Sequence, residues 1–98
     1  MPTFMLMTKL SADQEKQVRN RELLGHVWLE QVKEKCPGVK FVAHYALLGQ
    51  YDFCDIYEAP DVETAAKVSM ISLANGALTA ESWVAIPYKQ WVELGQEI

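Results

Sequence analysis

An α+β sandwich in the order β-α-β-β-α-β is the fold this sequence predicts, with four antiparallel strands and two helices on one face of the sheet. Three observations predict it. The segment from Leu47 to Asp61 reads as a strand end, a tight turn, a second strand and a helix start in one short stretch. Helical stretches flank it, one ending at Pro37-Gly38 and the other at Asn75-Gly76, both of them helix stop signals. Strand-like segments open and close the pattern.

Thr3 to Leu10 is apolar-rich and contains two threonines, which suits a first strand. Ser11-Ala12-Asp13-Gln14 supplies a turn with capping residues, and helix formers follow from Glu15. At helical spacing Val18, Leu24, Gly25, Trp28, Leu29, Val32 and Cys36 gather on one face, with Leu23 and Val27 opposite. Gly25 costs a helix about 1 kcal/mol against alanine, so a break or kink is expected between Asn20 and Gly25. Val39 to Leu48 is the second strand, and Gly49-Gln50 places a glycine where a type II′ hairpin turn wants it. Tyr51 to Glu58 is the third strand, stopped by Ala59-Pro60. Asp61 is a helix N-cap, its carboxylate accepting from Glu63 or Thr64. Val62 to Leu73 is the second helix, with small residues Ala65, Ala66 and Ser69 on the face that would lie against the sheet. Thr79 to Ile86 is the fourth strand, and Tyr88 to Leu94 forms a short terminal helix or an arm.

The 98 residues are expected to form a single domain, residues 1–98, with one core. The pattern is ferredoxin-like, and it leaves one sheet face bare. A bare apolar face is an association site. Stacking two sheets face to face, the dimeric α/β barrel arrangement, is the expected solution, so the chain's first partner is a second copy of itself. The net charge is −4 and the nine Lys and Arg residues are scattered, which argues against nucleic acid. No apolar run reaches the ~20 residues of a membrane span, and the N-terminus has no secretion-signal pattern, so a cytoplasmic location and no membrane partner are expected. Three Trp, four Tyr and three Phe exceed the needs of a small core, which reserves some for an interface or a pocket. Cys36 and Cys54 are expected as two buried thiols.

At Gly49-Gln50-Tyr51-Asp52 and Glu58-Ala59-Pro60-Asp61 the chain resembles the GYD domain family. Tyr45 and the stretch Thr79 to Ile86 also suit that pattern. Where the family often has a proline-broken start to its first helix, this chain has Asn20-Arg21-Glu22. The resemblance spans nearly the whole chain and implies a fold and an oligomer habit, not a reaction. The G-x-Y-D turn is also similar to that of the effector-binding domains of Lrp/AsnC-type regulators, whose helix-turn-helix has no counterpart here.

With either a two- or a four-residue loop, the hairpin register sets His44 opposite Asp55, with β-carbons within ~5.5 Å. A carboxylate beside a histidine raises the imidazole pKa and fixes its tautomer, a credible acid/base unit. A structural ion pair within an interface is the competing account. Val42, Ala46, Phe53 and Tyr57 share that face. Phe41, Ala43, Tyr45, Leu47, Cys54 and Ile56 lie on the other. The second set is the more uniformly apolar, so it is assigned to the helices and the His44–Asp55 set to the open face.

The candidate catalytic pair is therefore His44 and Asp55, with Tyr51, Tyr57, Phe53 and Trp83 as candidate ligand-binding residues. Tyr51 and Asp52 also have a purely structural account, as fixtures of the turn. His26 and His44 do not make a metal motif, and no metal or cofactor is expected. Phosphate loop, nucleophile elbow and H-E-x-x-H motifs are all missing. The expected function is a self-associating small-molecule-binding module at the open face. The alternatives are a cofactor-independent monooxygenase, isomerase or decarboxylase of the dimeric α/β barrel kind, and a purely structural oligomer.

Overall fold

A computed structural model describes residues 1–98. Four strands, β1 (Thr3–Leu10), β2 (Lys40–Ala46), β3 (Phe53–Glu58) and β4 (Ala77–Ala85), form one antiparallel sheet in the order β2-β3-β1-β4. The helices are α1 (Ala12–Glu15), α2 (Arg21–Lys35), α3 (Val62–Ala74) and α4 (Tyr88–Gly95). This is the ferredoxin-like α+β sandwich.

Local chemistry accounts for the element ends. Ser11 accepts from the Gln14 N–H at 3.2 Å to start α1. The expected break in the first helical region falls before Arg21: a single 3-10 turn, Val18–Asn20, separates α1 from α2. Gly25 then sits inside an unbroken helix. Val18, expected on the core face, lies on that turn and is exposed. Asp61 Oδ1 accepts from the Thr64 N–H at 2.8 Å and from its hydroxyl at 2.6 Å, capping α3. Gly76 ends α3 with φ +97°, a conformation that suits glycine. Of the small residues on α3, Ala65 is buried and Ser69 bonds the Ser82 hydroxyl at 2.7 Å, whereas Ala66 points to solvent.

The core lies between the sheet and the α2–α3 layer. Phe4, Leu6 and Tyr57 from the sheet meet Val32 and Cys36 of α2 and Ala65 and Val68 of α3. Full burial of a side chain such as Leu6 or Phe4 contributes about 1.5–3 kcal/mol. Phe4 and Tyr57 stack with centroids 5.5 Å apart. The Tyr57 hydroxyl shares a hydrogen bond with Ser82 Oγ at 2.8 Å.

The register places His44 opposite Asp55, as the hairpin reading expects. The face assignment is corrected. Phe4, Leu6 and Thr8 of β1 are buried, and they stand opposite Tyr57, Asp55 and Phe53. His44, Asp55, Phe53 and Tyr57 therefore face the helices, not the open side. Two causes explain the inversion. A bulge at Val42 turns Phe41 to the side of Tyr57, removing the largest apolar residue from the other set. Asp55 and Tyr57 are polar but bring their own partners, so burying them leaves no orphaned group.

The G-x-Y-D turn is the four-residue form of the loop, not the two-residue type II′ turn. The Leu47 N–H donates to the Asp52 carbonyl at 2.8 Å, which leaves a four-residue loop from Leu48 to Tyr51. Gly49 does not have the positive φ of a type II′ turn. Asp52 holds the loop: its Oδ2 accepts from the Leu10 N–H at 2.8 Å, and its own N–H donates to the Thr8 carbonyl at 2.8 Å. Tyr51 donates to Glu81 at 2.9 Å and meets the Trp83 ring edge-on at 5.9 Å. Both aromatics thus lie over the open side of β1 and β4.

Cys36 and Cys54 are free, buried thiols on opposite sides of the sheet, and burial raises the pKa of each. No residue of α4 is buried, and its apolar side, with Trp91, Val92 and Leu94, faces solvent. No helix is long and apolar enough to cross a membrane.

Candidate functional site

The layers do not close on each other along the whole of α2. Its C-terminal half brings Val32 and Cys36 into the core. Its N-terminal half carries Gly25, where an added Cβ would meet no atom within 4 Å. The space left beneath is a cavity of about 520 Å³. That volume falls within the ~300–1,000 Å³ of small-molecule sites. The sheet side consists of Phe41, His44, Phe53 and Asp55, with Thr8 and Leu10 of β1. Leu24, Trp28 and Leu29 of α2 stand across from them, with Arg21 and His26 also on the lining. Gln14, Ser72, Asn75 and Ala77 close the end near β4.

The walls are held from behind. Trp28 donates from Nε1 to Ser72 Oγ at 2.8 Å, and its ring meets Phe41 edge-on at 5.4 Å. Ser72 in turn donates to the Val68 carbonyl at 3.3 Å. Asp55 is 4% exposed, and its Oδ1 meets His44 Nδ1 in a hydrogen bond. His44 stacks on Phe53 with centroids 5.5 Å apart. The Arg21 guanidinium carbon stands 5.3 Å from the centre of the same Phe53 ring, a cation–π distance.

The hydrogen bond that Asp55 accepts from Nδ1 raises the His44 pKa above its ordinary 6.5, with burial and the Arg21 charge acting the other way. A raised histidine pKa contributes stability that is complete below the unfolded-state value and disappears as pH rises through the folded-state value. The charged and titratable groups around the ring are Asp55, Arg21, Glu22 and His26. Wild-type protein is therefore expected to lose more stability than His44→Gln as pH rises above the ordinary histidine value of 6.5. Urea unfolding at several pH values checks this; parallel curves for the two proteins would count against it.

Gly25→Ala offers a second check. It replaces the poorest helix former short of proline at a site with free space, so a gain of up to about 1 kcal/mol is expected. A loss on thermal or urea unfolding would mean that the space beneath α2 is not open.

Of the six candidate residues, the structure brings three together: His44, Asp55 and Phe53 line the cavity. Tyr57 lies behind them, fully buried in the core. Tyr51 and Trp83 are on the opposite side of the sheet. Arg21, Gly25 and His26 are cavity residues the sequence reading left out, and Trp28, read only as core, is a wall. Gly25 in the middle of a helix was a local irregularity, but nothing in the sequence joined it to Arg21, His26 and Trp28.

A helix-over-sheet sandwich with a hollow between its layers, bearing a histidine–carboxylate pair, defines a ferredoxin-like protein with a built-in cavity. The chain belongs to the GYD domain family, whose profile matches residues 4–94. It is 38% identical over 88 residues to the glutamine synthetase and cystathionine beta-lyase binding protein of Thermus thermophilus, covering 89% of this chain and 90% of that protein. Among solved structures it is similar to MtbAldR, with a TM-score of 0.63 at 18% identity over 88% of this chain; it spans only 52% of that chain. It is also similar to TTHA0845 of Thermus thermophilus, with a TM-score of 0.58 at 20% identity over 89% of this chain and 95% of that one. At these identities the two structures speak to the fold alone.

Proposed function

We propose that the chain is a small-molecule-binding module whose site is the cavity between α2 and the sheet, and that it acts as a homo-oligomer. The observation that carries the first part is the volume itself, about 520 Å³ kept open opposite Gly25 and lined by aromatic rings and a histidine–carboxylate pair. A 98-residue domain has little core to spare, so a hollow of that size is a feature with a use. Self-association is supported by the open sheet side and α4, where Tyr45 is 57% and Trp91 62% exposed. The Thermus relative is named for binding two enzymes, and a protein partner of this chain would have the same exposed surface available.

A thermal-shift screen of metabolites against wild type, His44→Ala and Gly25→Leu tests the cavity. A true ligand raises the transition with concentration by mass action, by about 2.7 kcal/mol at a hundred times its Kd. Gly25→Leu takes up part of the space and is expected to weaken or abolish the shift while the protein stays folded. Hits unchanged by Gly25→Leu would move the site elsewhere. Light scattering tests the assembly: a monomer at all concentrations would refute it.

A second reading, a cofactor-independent enzyme with His44 and Asp55 in acid/base roles, draws on their place in the cavity wall. Incubating the hits with protein and following them by NMR separates the two. Unchanged spectra favour binding; a product lost in His44→Ala favours catalysis.

A further inference from the structure

Resting on the cavity reading above, we infer that the cavity takes a small monocarboxylic acid, its carboxylate on Arg21 and its apolar body against Trp28, Phe41 and Phe53. Arg21 lines the cavity, and its Nη1 is withdrawn from solvent without any acceptor. A buried donor left unmet is costly, and a charged one more so. Arg21 takes part in none of the protein's ion pairs or side-chain hydrogen bonds. The carboxylate whose charge it feels, Asp52, already accepts from Leu10 and stands 3.8 Å from Lys9 Nζ. Burial lowers the Arg21 pKa from its ordinary value, with the Asp52 charge acting the other way. The Phe53 ring beneath it holds the planar group in place.

The rest of the lining narrows the anion. Glu22 and Asp55 are also on the cavity wall, and Asp55 is already matched by His44. One unmatched cation beside two carboxylates suits a single negative charge and disfavours a phosphate dianion. A guanidinium's forked donors fit the two oxygens of a carboxylate. The three aromatic rings supply the apolar contact for the remainder of the molecule.

The test uses matched acid and amide pairs: benzoate and benzamide, phenylacetate and phenylacetamide, indole-3-acetate and indole-3-acetamide. Each is titrated calorimetrically into wild type, Arg21→Gln and Arg21→Lys near pH 7. In wild type at least one acid is expected to bind roughly tenfold or more tightly than its amide. Arg21→Gln should bring that ratio close to one, and a circular dichroism spectrum and urea transition like those of wild type report an intact fold. Arg21→Lys should keep part of the preference. Equal binding of acid and amide in wild type, or a preference that survives Arg21→Gln, overturns the carboxylate assignment and leaves the cavity reading standing. Failure of all six compounds also overturns it; the cavity reading falls with it only if the wider screen yields no hit sensitive to Gly25→Leu.

Discussion

Tyr57→Ala is expected to cost about 3–5 kcal/mol, a large part of the stability of a domain this size. Tyr57 is fully buried, stacks on Phe4 and meets Phe41 at 6.0 Å. Its removal leaves a hole among the groups that join the sheet to both helices. Tyr57→Phe is the control. It deletes one hydroxyl, while Ser82 keeps the Ser69 hydroxyl at 2.7 Å, so about 1 kcal/mol is expected. Urea unfolding followed by circular dichroism measures both. A Tyr57→Ala cost no larger than that of Tyr57→Phe would show that the ring does not anchor the core. The loss should reach the cavity too, because Asp55 lies two residues away on the same strand face.

His44→Leu carries the second large effect. Asp55 would be left as a buried carboxylate with no hydrogen-bond partner, and about 1–3 kcal/mol should be lost at neutral pH. His44 is itself more than half exposed, so the cost falls on the group it leaves behind. Adding Asp55→Leu removes that charge and should recover most of the loss. A double mutant no more stable than His44→Leu would mean that the carboxylate, not its isolation, supports the fold.

The comparison of sequence with structure turns on particular residues. The order of strands and helices was legible because Pro37-Gly38, Asp61 and Asn75-Gly76 are local signals, and their partners lie within a few positions. The pairing of His44 with Asp55 was legible because a hairpin's register follows from its loop. The side of the sheet they occupy was not. That depends on the bulge at Val42, which no residue type announces, and on buried polar groups that supply their own partners. Counting apolar residues per face treats Asp55 as a surface residue; its bond to His44 makes it an interior one. The cavity was invisible for a related reason. Gly25 lines it without a side chain, and helical periodicity registers what is present on a face, not what is absent. Arg21 had no role in the sequence reading, because only the tertiary structure brings it over Phe53.

The three tryptophans fall one to each surface of interest. Trp28 walls the cavity, Trp83 stands on the open side of the sheet, and Trp91 rides on α4. The protein therefore contains three indole fluorophores, each on a different surface. Chains that retain a single indole would separate them by emission wavelength and quencher access: Trp28 for ligand entry, Trp83 for coverage of the sheet, Trp91 for docking of the terminal arm. Ligand binding and assembly could then be timed against each other in one cuvette without attaching a dye.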